Sequence, residues 1–541
     1  MIIDRSERRW LLVATAVALL LANLPSLLGF LFPPAGTHYT GIDATAPGDV
    51  NVYRSYLEQV SQGHLILSDI FTSEPQRAAI VSPFWVGVGL FGALLKFSTL
   101  LTYFLSRIVF GALLLWLIYR LAAELFDEVR SRRLAWLLAV FGAGLGAWLA
   151  PFASSLASGA NLEKIWPMDL WVSEAFTFLS LHHSPHFLAG TILILLTVML
   201  FGRSLARDAT RPAVWAGLAM LALYSFHPFH VLSLGLVTVG LCGLALVRFR
   251  RTGWKFFRRA VIAWALAAPA LVYQAWFALK DPLGAERASQ NILYTPPVMT
   301  AVISYGLLFV AGAYGAMVWL RTRELKYQII VTWAICHAVA IFVPVFFNRR
   351  VTQGLNVALA QLAVVGLVAA REWFRRRTGR NPHVVILSVL IFFGFGMSTI
   401  WVTAQDLSFI LGNGRSLPYF FYISNDYQQA FDWLKHNGHE QTVVMSAPIT
   451  GNFIPGVSGR RVVVGHNVET IRYEDRQRDA ETFYVSGSDD DRRRIMTDRG
   501  VTHVIDGPWE RRLGEHDPAT WTGLTEVFRT PTVAIYRVTV N

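Results

Sequence analysis

A polar segment near the N-terminus, residues 40–77, gathers carboxylates in a chain that is otherwise largely apolar. Asp49 stands at the start of a helical pattern of apolar residues, a position at which an acid commonly caps the helix. A carboxylate within hydrogen-bonding distance of a substrate hydroxyl group can instead take up its proton. Two interpretations of Asp49 therefore stay open, a helix N-cap and a general base, and Glu74 is the second candidate base.

Three arginines occupy places where a membrane protein seldom has them. Arg349 and Arg350 are adjacent in a predicted outer connection, and Arg107 lies inside a predicted span. Arginine binds phosphate oxygens through two parallel N–H donors, so the phosphate of an anionic lipid is the ligand that these residues fit. The alternative for the Arg349/Arg350 pair is interfacial anchoring, in which the guanidinium groups reach the headgroup layer.

Two further outer connections carry acids and histidines, around the segments HHSPH and FHPFH. The histidine spacing is weaker than that of a zinc site, so we interpret these side chains as the lining of a polar, substrate-binding cavity. Asp49 with Asp169 and Glu174 could hold Mg²⁺ or Mn²⁺, but an arginine clamp on a phosphate requires no metal, and no residue is assigned as a metal ligand. The predicted substrate-binding residues are Asp169, Glu174, His183, His186, His227 and His230.

The composition indicates which class of molecule carries these residues. Of the 541 residues, 54% are hydrophobic and 16% are charged, whereas soluble domains have about 25% charged residues. The net charge of +12 resides in short clusters between apolar runs, which the positive-inside rule explains better than nucleic-acid binding does. The two cysteines, Cys242 and Cys336, fall inside apolar runs, so no disulfide framework is indicated.

The fold class predicted is a mainly α, polytopic membrane protein with about eleven transmembrane helices. The connections assigned to the inner side hold 23 Lys and Arg residues, against eight in the outer connections before Asp406. This asymmetry predicts a cytoplasmic N-terminus and an extracytoplasmic C-terminus. Only six of the 48 Lys and Arg residues are Lys, which is typical of a GC-rich prokaryotic genome, so the expected location is the plasma (inner) membrane of a prokaryote. The spans are predicted at about residues 10–32, 99–122, 134–151, 186–201, 213–226, 229–247, 260–279, 300–320, 327–347, 353–370 and 383–403.

Two regions outside the spans have their own organisation. The first outer loop, residues 33–98, contains an amphipathic helix after Asp49 and a short apolar segment, 80–97, that we interpret as a juxtamembrane helix and not as a span. Residues 411–541 are polar, and helix and strand patterns alternate in them, which predicts a soluble α/β domain on the extracytoplasmic side. The predicted domains are therefore residues 1–410 and 411–541. The glycine run GAGLG at 142–146 indicates close helix packing.

The arrangement resembles the GT-C superfamily of integral-membrane glycosyltransferases. The segments GDVNVYRSYLEQVSQGH, HPFH, RRVTQGLNVALAQL and VVMSAPITGNFIPGVSGRRVVVGHNVET resemble bacterial members without assigned substrates. The resemblance implies a polyprenyl-phosphate-sugar donor, an active site at the outer face and a catalytic acid in the first outer loop, to which Asp49 corresponds. The WWDYG signature of the oligosaccharyltransferase branch is absent, since the corresponding region reads YISNDYQQ.

The function predicted from residues and resemblance together is transfer of a sugar, a hexose or a pentose, to an extracytoplasmic lipid, glycan or protein. Asp49 would act as the base, Arg349 and Arg350 would hold the donor phosphate with Arg107 as a possible third, and the sugar configuration would invert. Two alternatives come from other classes: a lipid-linked-glycan transporter or flippase, and a non-catalytic membrane scaffold. A transporter would place ionisable groups near mid-membrane in two repeated halves, and the sequence has no such repeat.

Overall fold

The computed structural model describes residues 3–156, 165–380, 384–412, 421–514 and 516–539. The chain is a mainly helical, multi-pass membrane protein with a small mixed sheet near its C-terminus, as the sequence predicts. The longer helices before the C-terminal region are α1 Arg5–Leu31, α2 Asp49–Ser61, α3 Pro83–Leu94, α4 Thr99–Leu125, α5 Val129–Phe141, α6 Gly146–Leu156, α7 Thr177–His183, α8 Pro185–Arg207, α9 Thr210–Tyr224, α10 Val231–Phe249, α11 Trp254–Lys280, α12 Pro282–Gln290, α13 Val298–Thr322, α14 Leu325–Ala340, α15 Leu355–Thr378, α16 Val384–Phe395 and α17 Met397–Leu411.

Seven helical stretches of the described residues are long and apolar enough to cross a membrane. One of them, Pro228–Lys280, is 53 residues long and contains two predicted spans, at α10 and α11. The predicted spans at 213–226 and 327–347 correspond to the shorter helices α9 and α14. The multi-pass character is confirmed, whereas the count of eleven spans and the cytoplasmic N-terminus stay predictions.

Two other predicted membrane segments differ in how they fold. The last predicted span, 383–403, begins at a residue outside the described part of the chain and continues as the two helices α16 and α17. The apolar segment 80–97 forms α3, whose 12 residues are too few to cross a bilayer. It is therefore a short apolar helix in the first outer loop, as predicted.

The chain folds into two compact units that differ from a simple division along the sequence. The first unit consists of Met1–Pro25, Ser106–Gln274 and Ile292–Asp406, and the second of Ser26–Leu105, Ala275–Asn291 and Leu407–Asn541. The first outer loop and α12 thus belong to the same unit as the C-terminal residues. The predicted domain boundary at residues 410/411 stays a prediction.

The first unit is a helical core in which two helices approach at glycines. A Cβ atom at Gly315 of α13 would overlap the carbonyl oxygen of Leu362, and one at Gly366 of α15 would overlap that of Ala311. Small residues allow such close contact between apolar helices, where dispersion forces replace the hydrophobic effect. Trp136 and Trp333 are among the largest side chains that are fully buried in this core.

The second unit contains a five-stranded sheet with strand order β4-β3-β5-β7-β6. The first three strands in this order are parallel, and the last two pair in antiparallel fashion. A separate antiparallel pair joins β1 of the first outer loop to β2. The strands are β1 Thr37–Tyr39, β2 Tyr422–Ser424, β3 Val443–Met445, β4 Arg461–Val462, β5 His503–Asp506, β6 Leu524–Arg529 and β7 Ala534–Val538.

Two helices of this α/β region begin at a serine side-chain cap, and both coincide with helical patterns in the sequence. Ser424 accepts a hydrogen bond from the backbone of Tyr427 at the start of α18, and Ser488 forms a reciprocal capping box with Asp491 at the start of α21. The helices of this region are α18 Asn425–Asn437, α19 Pro448–Ser458, α20 Tyr473–Glu481 and α21 Asp489–Asp498.

Helix α2 of the first outer loop packs tightly on the α/β region of the same unit. A Cβ atom at Gly456 of α19 would lie 2.9 Å from the carbonyl oxygen of Asn51, and the Asn51 side chain donates to Oδ1 of Asn452 at 2.8 Å. Lys435 of α18 forms an ion pair of 2.7 Å with the buried Glu58. These contacts fix the helix that begins at Asp49.

Candidate functional site

Asp49 is the first residue of α2, and the N-cap position belongs to Gly48. The prediction that Asp49 caps the helix is therefore wrong, because its carboxylate is engaged elsewhere. Asp49 Oδ1 lies 3.0 Å from Nε2 of His466, with the Asp49 side chain 40% exposed and that of His466 6% exposed. A half-exposed carboxylate with a buried partner is thus the main feature of the first outer loop.

Backbone contacts hold His466 in place within the loop that follows β4. Its Nδ1 accepts hydrogen bonds from the backbone N–H groups of Val468 and Glu469, both at 3.2 Å. Its own carbonyl oxygen accepts from the N–H of Thr470 at 2.8 Å. Thr470 in turn donates its hydroxyl to the carbonyl oxygen of Phe71 at 2.9 Å, which ties this loop to the first outer loop.

Charged side chains surround the imidazole of His466. Burial lowers the pKa of His466, but the hydrogen bond to Asp49 and the negative charges of Asp49, Glu469 and Asp69 outweigh burial, so that the pKa is raised from its ordinary value. The backbone donors at Nδ1 oppose this increase, because an imidazolium ion would need to donate from the same atom. The side chain is therefore well suited to donate from Nε2 in its neutral form.

A buried ion cluster lies beside this pair in the same unit. Arg287 of α12 forms an ion pair with Glu469 and donates to the hydroxyl oxygen of Tyr56 at 2.7 Å. Asp69, which is 2% exposed, accepts from the backbone N–H of Phe71 at 3.0 Å. Burial, together with the negative charge of Glu469, raises the pKa of Asp69 to about 7, although Arg287 opposes the increase.

Glu74, the second candidate base, is an ion-pair partner. Its Oε1 lies 3.2 Å from a guanidinium nitrogen of Arg472 and 3.6 Å from one of Arg476. Its carbonyl oxygen accepts from Arg461 at 2.5 Å. These contacts favour an anchoring function for Glu74, and its catalytic assignment stays a prediction.

In the first unit, three of the predicted histidines form a stack. The ring centroids of His186 and His227 are 5.0 Å apart, and those of His227 and His230 are 5.9 Å apart. His230 Nε2 lies 2.9 Å from Oε1 of Gln353, whose amide donates to the carbonyl oxygen of Phe187 at 2.6 Å. The structure therefore brings together these residues of the HHSPH and FHPFH segments.

His227 differs from its neighbours in its hydrogen bonding. It is 3% exposed, and within the described part of the chain neither of its ring nitrogens has a hydrogen-bond partner. The positive charge of Arg350 acts on it electrostatically. A buried imidazole without protein partners is costly unless a ligand or water supplies the bond, so His227 is the histidine best placed to bind a polar group.

The two adjacent arginines are held over aromatic rings. The guanidinium carbon of Arg349 lies 4.6 Å from the ring centroid of Trp171, and that of Arg350 lies 5.1 Å from the centroid of Phe229. Both residues are partly buried within the 3-10 turn Asn348–Thr352. Such a contact uses the face of a guanidinium group, whose N–H donors lie at its edges.

Arg107 is bound by protein groups. It is 1% exposed, donates to the carbonyl oxygens of His182 and His183, and contacts Oδ1 of Asn23 through Nε at 3.1 Å. His182 itself forms an ion pair with Asp406. These contacts make Arg107 part of the helix packing, and its assignment to the donor phosphate stays a prediction.

The GAGLG run forms a cradle for the carboxylate of Asp169. Oδ2 of Asp169 accepts from the backbone N–H groups of Gly144 and Gly146, at 3.1 and 2.9 Å, and from the hydroxyl group of Ser398 at 2.6 Å. A Cβ atom at Gly146 would overlap the carboxylate. The glycines thus allow close packing, as expected, and they also bind the acid. Glu174 is buried at 8% exposure.

Groups of three or more His, Cys, Asp or Glu side chains that could hold a metal ion do not occur among the described residues. Oδ2 of Asp169 already accepts three hydrogen bonds from protein groups. The predicted ligand set of Asp49, Asp169 and Glu174 therefore has no support from the described side chains, and we derive no step through Mg²⁺ or Mn²⁺.

The fold is similar to that of solved GT-C membrane glycosyltransferases, which confirms the predicted resemblance at the level of the fold. The chain is similar to the oligosaccharyltransferase of Archaeoglobus fulgidus tethered with an acceptor peptide, at 14% identity and a TM-score of 0.53, over 92% of this chain and 69% of that one. It is also similar to ArnT from Cupriavidus metallidurans bound to undecaprenyl phosphate, at 13% identity and a TM-score of 0.51, over 97% and 98% of the two chains.

The chain is also similar to the archaeal oligosaccharyltransferase AglB from Archaeoglobus fulgidus in complex with an inhibitory peptide and a dolichol-phosphate. The identity is 15% and the TM-score is 0.50, over 93% of this chain and 70% of that one. No protein-family model matches the chain, and no curated protein matches it in sequence. At these identities, the comparisons establish the fold.

Sequence reasoning did not identify His466 or Arg287 as neighbours of the first outer loop. Both contact residues that are hundreds of positions away in the chain, so no local pattern joins them. One signal was present for His466, because it follows β4 at the carboxyl end of a parallel strand, where ligand-binding residues of α/β layers concentrate.

Proposed function

We propose that this protein transfers a sugar from a polyprenyl-phosphate-linked donor to an extracytoplasmic acceptor, which is a lipid, a glycan or a protein. The observation that carries the proposal is the fold match to ArnT bound to undecaprenyl phosphate, which extends over nearly the whole of both chains. The match to an oligosaccharyltransferase with a dolichol-phosphate gives a second fold relative that binds a polyprenyl phosphate.

The proposed reaction assigns one task to each group. The acceptor oxygen attacks the anomeric carbon while the bond from that carbon to the phosphate oxygen breaks. The acceptor proton passes to the carboxylate of Asp49, and the polyprenyl phosphate leaves with the bonding electron pair. Attack from the face opposite the leaving group inverts the configuration of the sugar.

The donor side of the proposal rests on Arg349, Arg350 and His227. The two guanidinium groups stabilise the negative charge that develops on the departing phosphate, as preorganised cations do in other transferases. The ring nitrogens of His227, without protein partners among the described residues, are available to the phosphate or to a sugar hydroxyl group. The rings of His186 and His230 both stack against this imidazole.

The test is a transfer assay with purified protein in lipid nanodiscs, supplied with labelled polyprenyl-phosphate hexoses and pentoses and with a membrane extract as acceptor. We expect one donor to give product with the wild type. With Asp49→Asn, we expect donor binding to persist and transfer to fall by roughly 10²–10⁴-fold, the usual contribution of a general base. Wild-type transfer by this variant would remove Asp49 from the mechanism.

The phosphate assignment has a matched control in the chain. The double variant Arg349→Gln/Arg350→Gln should weaken donor binding by at least about tenfold, because each charge-assisted hydrogen bond contributes about 1.5–3 kcal/mol. The exposed pair Arg250 and Arg251 serves as the control, and its replacement by glutamines should leave donor binding unchanged. Equal effects of the two double variants would assign the arginines to general membrane electrostatics.

A further inference from the structure

We infer that His466 is the positioning residue of Asp49: its Nε2–H group holds one carboxylate oxygen and thereby fixes the direction in which Asp49 accepts the proton of the acceptor. This inference rests on the proposed function of Asp49. It gives a residue of the C-terminal α/β region a function in sugar transfer. The proposed reaction assigns a function to no other residue of that region.

The hydrogen bonds of His466 define the tautomer of its neutral ring. Nδ1 of His466 faces two backbone N–H groups, those of Val468 and Glu469, each at 3.2 Å. A ring nitrogen that accepts two N–H donors carries no proton, so the neutral ring holds its proton on Nε2. That atom lies 3.0 Å from Asp49 Oδ1, and the imidazole therefore donates to the carboxylate.

Gly48, the residue before Asp49, has no side chain. A Cβ atom at Gly48 would lie 2.9 Å from Cδ2 and 3.1 Å from Nε2 of His466. Any other residue would have to displace the imidazole or the start of α2. The close approach of the ring to the beginning of the helix thus depends on glycine next to Asp49.

The surroundings of His466 restrict the orientation of its ring. His466 is 5% exposed, and the Phe71 ring packs against it edge-on, with centroids 6.0 Å apart. The charged groups around it are Asp49 on α2, Asp69 in the loop after α2, and Glu469 in its own loop, which Arg287 of α12 neutralises in part. A buried ring held by packing and hydrogen bonds keeps one orientation, as a positioning residue must.

A structural explanation also exists, because His466 caps its own loop through Nδ1. The two functions use different ring atoms and can be separated by substitution. In His466→Asn, the side-chain oxygen can replace Nδ1 as the acceptor of the loop N–H groups, but the side chain is too short to reach Asp49. In His466→Gln, the amide nitrogen can replace Nε2 as the donor to Asp49, while the loop cap is lost.

The experiment measures kcat, KM and the melting temperature of both variants of the full chain in nanodiscs. We expect His466→Asn to keep a melting temperature near that of the wild type and to lose about 10- to 100-fold in kcat with little change in KM, the size of one hydrogen bond to a charged group. We expect His466→Gln to melt at a lower temperature and to keep kcat within about threefold. His436→Asn, at an exposed histidine of α18, is the control and should change neither quantity.

The outcomes separate this inference from the proposal on which it rests. If Asp49→Asn is inactive and His466→Asn is as active as the wild type, the positioning function is wrong and the base assignment survives. If His466→Gln has both the lower melting temperature and the lower kcat of the two His466 variants, His466 is only a loop cap. If Asp49→Asn keeps full activity, the base assignment itself fails.

Discussion

Asp49 and Glu74 are both acids of the first outer loop, and both contact residues of the C-terminal α/β region, yet their partners differ in kind. Asp49 receives one hydrogen bond from an imidazole and keeps 40% of its side chain exposed, whereas Glu74 is 22% exposed and contacts two guanidinium groups. A neutral donor orients a carboxylate without neutralising it. The two guanidinium groups at Glu74 stay charged and hold its carboxylate as an anchor. Uptake of a proton by that carboxylate would disrupt both ion pairs.

The composition of an acid-rich loop therefore does not show which of its acids is the base. From the sequence, both residues are carboxylates in a polar loop near the membrane. In the folded chain, Asp49 is 40% exposed and contacts an imidazole, and Glu74 joins the loop to α20. Three measurements test this contrast.

The largest effect should come from isosteric replacement of the two acids. Asp49→Asn should reduce transfer by roughly 10²–10⁴-fold, while Glu74→Gln should stay within about threefold of the wild type, since the Glu74 carboxylate is engaged by two guanidinium groups. Initial rates at saturating donor measure both. If Glu74→Gln is the inactive variant, the two assignments exchange.

The second effect concerns stability and should run in the opposite order. Glu74→Gln removes the negative charge at residue 74 from Arg472 and from the buried Arg476, which keeps its ion pair with Asp479. It should therefore lower the free energy of unfolding by about 1–3 kcal/mol. The melting temperature of the full chain measures this. Glu481→Gln, an exposed acid of α20, is the matched control. A melting temperature unchanged by Glu74→Gln would show that the ion pairs are not an anchor.

The smallest effect is the pH dependence that the buried Asp69 introduces beside the Asp49 pair. Its folded-state pKa of about 7 lies above the ordinary value of 3.8, so the folded chain holds a proton that the unfolded chain releases between these pH values. The stabilising contribution of Asp69 is therefore complete at low pH and is lost as the pH rises towards 7. Asp69→Asn should reduce the fall in melting temperature between pH 5 and pH 8.

Asp432, an exposed acid of α18, provides the control for that measurement, and Asp432→Asn should leave the pH dependence as it is. An identical pH dependence in wild type and Asp69→Asn would mean that Asp69 is ionised throughout, and that Arg287 compensates its burial fully. The region around Asp49 would then be more strongly anionic than the buried cluster indicates.

Sequence alone could predict the elements and the membrane character, because periodicity and capping are local. The helix starting at Asp49, the short apolar helix α3 and the alternating helices and strands of the C-terminal region all follow from patterns of a few residues. The histidine stack could also be anticipated, since HHSPH and FHPFH lie at ends of successive apolar runs. The N-cap assignment of Asp49 failed because Gly48 takes that position and leaves the carboxylate for His466.

The contacts that define the site could not be predicted from the sequence, because they join residues that are far apart in the chain. His466 reaches Asp49 across 417 positions, and Arg461 reaches the carbonyl oxygen of Glu74 across 387. No periodic pattern encodes pairs at such separations. The cradle of Asp169 was missed for a related reason, since backbone N–H groups that bind an acid leave no trace in the residue types except the glycines themselves.

The make-up of the second unit has a consequence for how the protein is made. Ser26–Leu105 are translated long before Leu407–Asn541, the residues with which they share a unit. At roughly 5–20 residues per second, the first outer loop waits on the order of 15–60 s for its partners. During that time Glu58, an acid that ends up buried, does not have its ion-pair partner Lys435 beside it. Full-length synthesis is thus a condition for a completed loop, and cells that stall translation late should accumulate chains with this loop open to proteases.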